Sequence, residues 1–211
     1  MIKRIFFVTN NDLAFSKSAV TRFSHDLAGV IGAVANSLCL LGELGGCDEE
    51  TLNLATNNAE ILLARLRFFR AAFGNDGPLS DLKGTKQLAE SYIHSIENKS
   101  CSFKLNWKVD EDLPLFNFRV LLIALQIMAE SMMYGGEIEI EAAAGFKNIV
   151  LRGISKKIKT EENLENVFAG QEVEITPKLT GAYFIKSILD QFHWHCQIDK
   201  TETELQLCFK G

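Results

Sequence analysis

A long apolar run is what the start of this sequence lacks. Lys3 and Arg4 precede four apolar residues, Ile5 to Val8, before "TNND" ends the run, which is too short for a signal segment or a membrane span. The expectation is a chain with no membrane attachment that works where it is made. A surplus of positive charge is missing too. Lys and Arg number 22 against 27 Asp and Glu, for a net charge of −5, and no basic stripe stands ready for a phosphate backbone, so nucleic acid is not an expected partner. Cysteines are few: Cys39, Cys47, Cys101, Cys196 and Cys208 are odd in number and show no C-x-x-C spacing. Most sit near apolar residues, as buried thiols of a reducing compartment do, and a cytoplasmic location is expected. The sequence has no G-x-x-x-x-G-K phosphate loop, no G-x-S-x-G elbow and no cysteine in an activated setting, so hydrolysis through serine or cysteine finds no support. "HWHC", His193 to Cys196, places two histidines two residues apart without a second ligand pair; ordinary packing is the better reading, and no metal site is expected.

What is present is ordinary globular material, 47% hydrophobic and 23% charged, enough for one sizeable core or two small ones. From about Asp12 to Glu43 the residues Val20, Phe23, Leu27, Val30, Val34, Leu38 and Leu41 recur at steps of three and four, which predicts one long amphipathic helix. "GELGGCDEE" supplies a glycine turn. A second helix is predicted from about Glu49 to Phe73, where Leu52, Ala55, Ala59, Leu62, Leu66, Phe69 and Phe73 keep heptad spacing. The two helices should fold as an antiparallel hairpin. Doubled apolar positions (Val30-Ile31, Leu40-Leu41, Leu62-Leu63, Phe68-Phe69) widen the stripe beyond what one neighbour covers, so a four-helix bundle built by two chains is the expected cover. "GNDGPLSD", Gly74 to Asp81, reads as a linker, dividing the chain into residues 1–74 and 79–211. Beyond it the predicted order is a helix (82–98), a strand (103–109), a helix (118–133), the strands "EIEIEA" and "NIVLRGIS", a helix (180–191), and the strands "HCQID" and "ELQLCF". Such an order, read with antiparallel hairpins, suggests a two-layer α/β sandwich, and the whole is an α+β protein.

Inside the first helix lies "RFSHDLAGVIGAVAN", Arg22 to Asn36. His25 falls on the flank of the apolar stripe, within reach of a partner. Its own face, at steps of three and four, carries Ser18, Arg22, Gly29, Gly32 and Asn36. Two glycines inside a helix cost roughly 1 kcal/mol each relative to alanine, which calls for either close approach of another protein or tight packing within the bundle. An exposed imidazole with an ordinary pKa near ~6.5 is a neutral nucleophile at cell pH. A carboxylate on its other ring N–H fixes the tautomer and stabilises the cation formed on phosphorylation, a role open to Asp26. The plain alternative is a solvated histidine beside a surface acid. Across the hairpin, "ARLRFFRAAF" puts Arg65, Arg67 and Arg70 near the level of His25. One of them could face an arriving phosphoryl group, or all could form a solvated basic face.

"TRFSHDLAGVIGAVANSLCLLGE", Thr21 to Glu43, resembles the dimerisation and phosphotransfer helix of two-component signalling proteins, and most closely the alphaproteobacterial histidine phosphotransferases of the ChpT type. Arg22 one turn before the histidine, and Gly32, Ala33 and Asn36 after it, match that family's pattern. The resemblance implies a dimeric four-helix bundle followed by a degenerate histidine-kinase-like (Bergerat-type) ATPase sandwich. It also implies a relay of phosphate from the receiver aspartate of a hybrid histidine kinase to His25 and on to a response regulator. His25 and Asp26 would be the catalytic pair; Arg22, Gly29, Gly32 and Asn36 would line the partner's docking face. Gly29 stands where sensor kinases carry Thr or Asn to orient a hydrolytic water, which leaves phosphatase activity unsupported. The second unit shows no Asn-bearing helix, no Asp-x-Gly-x-Gly loop and no glycine-rich lid: "LLIALQIMAESMMYGG" has Glu130 but no Asn, and "KLTGAYFIKSIL" keeps only Gly181. No cofactor is therefore expected in this chain, and Mg2+ would come with the receiver. An active kinase with unusual loops, and a non-enzymatic dimeric scaffold or inhibitor, remain the rival readings.

Overall fold

The computed structural model describes residues 10–43, 48–74, 82–109, 114–142 and 148–211. The segment "MIKRIFFV", the glycines of the first turn and most of the "GNDGPLSD" linker lie outside them. The first two helices are α1 (Asn10–Glu43) and α2 (Glu49–Phe73). They run antiparallel, since Ser37 Oγ accepts from Asn58 Nδ2 at 3.2 Å while Phe23 packs on Phe69 and Phe73 at the other end. Asp48 caps α2 by accepting from the Thr51 N–H at 2.8 Å, satisfying a backbone donor that the helix start leaves orphaned. By length and composition α1 would also qualify as a membrane-crossing helix, but in this fold one of its flanks packs on α2 and its polar flank on the second unit.

The doubled apolar positions sort themselves. Val30 is buried at 9% exposure while Ile31 is 52% exposed, and Leu63 and Leu40 stand out where Leu62 and Leu41 are partly covered. Phe68 and Phe69 differ: both are buried, and their cover comes from within the chain. Helix α3 (Leu82–Ile96) lays Tyr92 flat on Phe68, with ring centroids 3.8 Å apart, a stacked pair that adds to the area buried.

The sheet has the order β1-β2-β3-β5-β4, with β1 (Ser102–Lys108), β2 (Gly135–Ala142), β3 (Asn148–Ile154), β4 (His195–Lys200) and β5 (Glu204–Lys210). The expectation of antiparallel hairpins holds for β2-β3, β3-β5 and β5-β4, but β1 and β2 pair in parallel. They are joined by α4 (Leu115–Ser131), because parallel neighbours need a crossover rather than a tight turn. Ile138, Ile140, Ile149, Leu151, Leu205, Leu207 and Phe209 all point to one face and are fully buried. Helices α4 and α6 (Thr180–Phe192) cover it, with the short α5 (Leu164–Phe168) packed on α6. The other face is wet and carries ion pairs such as Lys104–Glu137, Lys108–Glu139 and Arg152–Glu204. This alternation is what a sheet covered on one side requires. Gly153 lets α4 lie close: a Cβ there would meet Met128 Sδ at 2.4 Å.

Candidate functional site

His25 stands on α1 with 87% of its side chain exposed, at the edge of a cleft of about 670 Å³ between α1 and the second unit. Thr21, Glu130, Lys159, Pro177 and Lys178 are among its other walls. The imidazole Nδ1 lies 3.4 Å from Asp26 Oδ1, a long contact that still selects the ring nitrogen facing the carboxylate. Nε2 is thereby the nitrogen turned away from Asp26.

Below the histidine the charges close into a network. Arg22 Nε donates to Asp26 Oδ2 at 2.7 Å, one helical turn away. Arg22 Nη2 donates to Glu130 Oε1 on α4, and Gln126 Nε2 donates to the same oxygen at 3.0 Å. Nη1 lies 3.5 Å from the Pro177 carbonyl. Burial works against the Arg22 charge, yet Glu130 and Asp26 outweigh it and hold the guanidinium proton more tightly than usual. Glu130 keeps 39% of its side chain exposed, but the carboxylate is crowded, and that desolvation raises its pKa above the ordinary carboxylate range despite Arg22. Tyr92 lies beneath, its phenol pushed well up by burial first and by Glu130 and Asp26 next.

Arg22 is thus turned inward, with 13% of its side chain exposed; it ties two parts of the chain together rather than facing outward from the docking surface. Arg65 is also taken up inside, donating to the Asp26 carbonyl at 3.2 Å and the Ser95 carbonyl at 2.8 Å. Arg67 lines a separate groove between α2 and α3, and Arg70 is exposed. None of the three is among the residues that line the cleft beside His25. Gly29, Gly32 and Asn36 continue the His25 face along α1. A Cβ on either glycine would meet nothing within 4 Å, so packing within the chain does not explain them.

Sequence reasoning missed Glu130 as a member of the site. The signal was there in "LQIMAES": Gln126 and Glu130 are an i, i+4 polar pair in a stretch that, from Val120 to Ala129, is otherwise apolar and buried, and buried polar side chains are seldom without a partner. Ser18, which the sequence does place on the His25 face, is buried, its hydroxyl accepting from Thr180 Oγ1 at 3.3 Å where α6 begins.

Comparison with known proteins falls in line with this geometry. The family described as the histidine phosphotransferase C-terminal domain matches residues 85–204. Among curated proteins, the "Protein phosphotransferase ChpT" of Brucella abortus (strain 2308) is 40% identical over 70 residues. That match spans 33% of this chain and 33% of the relative's own length. Among solved structures, a bacterial phosphotransferase determined at 1.7 Å superposes with a TM-score of 0.79 at 24% identity, over 96% of this chain and 98% of that one. At that identity the likeness concerns the fold.

Proposed function

The chain belongs to the histidine phosphotransferase family matched above, and from that premise we propose that it is a relay protein of two-component signalling in which His25 carries the phosphoryl group. The donor is the phosphorylated aspartate of a receiver domain, as on a hybrid histidine kinase, and the acceptor is the aspartate of a response regulator. Nε2 of His25 attacks phosphorus in line; the P–N bond forms as the P–O bond to the receiver carboxylate breaks, and that carboxylate leaves as the anion. The ring becomes a cation whose Nδ1–H faces Asp26 Oδ1, so charge created at the imidazole is met by a fixed carboxylate. The second transfer is the same step run toward a new receiver. Mg2+ arrives with the receiver's own acidic pocket, and positioning supplies most of the catalysis, as phosphoryl transfer allows.

The observation that carries this reading is the exposed His25 at the edge of an open cleft, with its Nδ1 3.4 Å from the Asp26 carboxylate. Gly29, Gly32 and Asn36 form the docking face, where the missing side chains let a receiver backbone come close. ATP is not a substrate in this reading: besides lacking the kinase loops, the segment after β3 is laced down, with Ile158 N bonded to the Glu202 carbonyl and Lys159 N to the Ser131 carbonyl. In this reading the chain works as a homodimer, because Leu13, Val20, Ile31 and Leu38 on α1 and Leu52, Leu63 and Leu66 on α2 are exposed and form the stripes that a second hairpin would cover; a cytoplasmic location goes with its cysteine usage.

Incubation with a phosphorylated receiver and Mg2+, without ATP, tests the proposal. Acid-labile label is expected on the wild-type chain and not on His25→Ala. Failure of several receivers to label the wild type would sink it and leave the scaffold reading.

A further inference from the structure

The kinase-like unit touches the phosphorylation site without holding a nucleotide site in the present reading, and the contact is specific. One unbroken line of polar groups runs from Nδ1 of His25 to Asp26 Oδ1, from Asp26 Oδ2 to Arg22 Nε, from Arg22 Nη2 to Glu130, and from Glu130 to Gln126. The line crosses from α1 to α4, joining two residues 108 apart in sequence. As far as Arg22 the links grow more enclosed: the imidazole is 87% exposed, Asp26 21% and Arg22 13%; Glu130 beyond it keeps 39% of its side chain exposed and rests on Gln126, which is buried.

We infer that Glu130 is a positioning residue for phosphotransfer: by fixing Arg22 it fixes the Asp26 carboxylate, and through Asp26 the orientation and tautomer of His25. The inference rests on the relay reading above and assigns the second unit a part in the chemistry through a side chain rather than a bound ligand.

The physical reasoning follows from the freedom of each group. Asp26 on a helix surface has several rotamers, and its 3.4 Å approach to His25 is too long to select one. The 2.7 Å bond from Arg22 is short and charge-assisted, so it selects the rotamer. Arg22 itself is a long side chain that would lose considerable rotamer entropy to hold that pose alone. Glu130 supplies a second charge-assisted anchor, at a different nitrogen of the guanidinium, Nη2. Gln126 and the packed α4 hold Glu130 in turn. The groups nearest the reaction are therefore set from the buried end of the line, an arrangement that keeps a reacting ring in place while leaving it open to a partner.

Three readouts test this on the full-length chain. In single-turnover transfer from a phosphorylated receiver, Glu130→Gln should lower the maximal rate about ten-fold, while the receiver concentration giving half the maximal rate stays within about two-fold. The combination Glu130→Gln with Asp26→Asn should be no slower than Asp26→Asn alone, because both act on one line. In the free protein, 15N spectra of the His25 ring should show one dominant tautomer in the wild type and a mixture in Glu130→Gln. Glu130→Asp, which keeps the charge on a shorter arm, should recover part of the rate. A wild-type rate in Glu130→Gln, multiplied losses in the double variant, or an unmoved imidazole spectrum would each overturn the inference. Absence of label on the wild type defeats the relay reading instead, and the imidazole spectra then decide the positioning role separately.

Discussion

The hairpin and the sheet unit handle apolar surface in opposite ways. On the sheet, seven inward residues from β2, β3 and β5 are fully buried, and α4 is buried almost continuously from Val120 to Ala129. Among the described residues of α1, Val30 is the one apolar side chain that reaches this class, while Leu13, Val20, Ile31 and Leu38 stand exposed. The sheet unit therefore closes its core with its own helices. The hairpin does not, and what it leaves open divides in two: an exposed apolar stripe, assigned above by proposal to a second hairpin, and a polar face around His25, assigned by proposal to a transient partner. An element that must bind reversibly on one side cannot also be buried there.

The comparison breaks most directly at Phe209, which is fully buried. Phe209→Ala should cost about 3–5 kcal/mol of unfolding free energy by cavity formation, read from urea unfolding followed by the fluorescence of Trp107 and Trp194. A loss under 1 kcal/mol would mean that the sheet core is not the stable part. Next in size is the hairpin stripe. Ile31→Glu with Leu38→Glu should weaken self-association by at least roughly 100-fold, since each apolar side chain contributes about 1.5–3 kcal/mol when buried. Sedimentation should show a monomer whose sheet unit is still folded. A dimer that persists would place the self-association surface elsewhere.

A smaller effect tests the tie between the two regions. Glu130 is raised above its ordinary value near 4.5 by burial, with Arg22 pulling the other way. A folded carboxyl that holds its proton more tightly than the unfolded chain loses stability as pH rises from the unfolded pKa through the folded one. Arg22→Met removes the opposing pull, so the folded pKa climbs further and that window widens upward. Stability curves of wild type and Arg22→Met should coincide near pH 4 and separate toward pH 7, the variant being less stable there by about 1 kcal/mol, a figure discounted for the exposure of Glu130. A gap that is constant with pH would show that Arg22 acts by packing alone.

Where one residue's neighbours in sequence decide its environment, reading the chain sufficed. The heptads of α2 place its ends at Glu49 and Phe73, and the alternation in "EIEIEA" and "ELQLCF" finds two strands, because helical and extended periods differ plainly. His25 and Asp26 stand together because they are adjacent. What stayed hidden depends on pairing over long distances. The parallel partner of β1 lies beyond α4, and alternation alone carries no strand direction. Arg22 matched a family pattern and read as partner-facing, but its direction is set by Glu130, 108 residues away. Phe68-Phe69 read as a second-chain contact for the same reason, since Tyr92 arrives from a helix past the linker.

The glycines of α1 give the subtlest test, because they separate cost within the chain from gain outside it. Open space surrounds the Cβ position at Gly29 and Gly32, so a methyl group there strains nothing in the free protein. Helix propensity then favours alanine by roughly 1 kcal/mol at each site, and Gly29→Ala and Gly32→Ala should each raise the melting temperature by a few degrees. If the glycines are kept for a docking backbone, the same variants should bind a receiver more weakly and transfer phosphate more slowly at low receiver concentration, with the rate at saturation near wild type. Stabilisation without that penalty would detach the glycines from docking and leave them as unexplained weak points in the helix. Loss of stability would show that the hairpin closes over this face when two chains meet, which would move the self-association surface toward His25 and away from the leucine stripe.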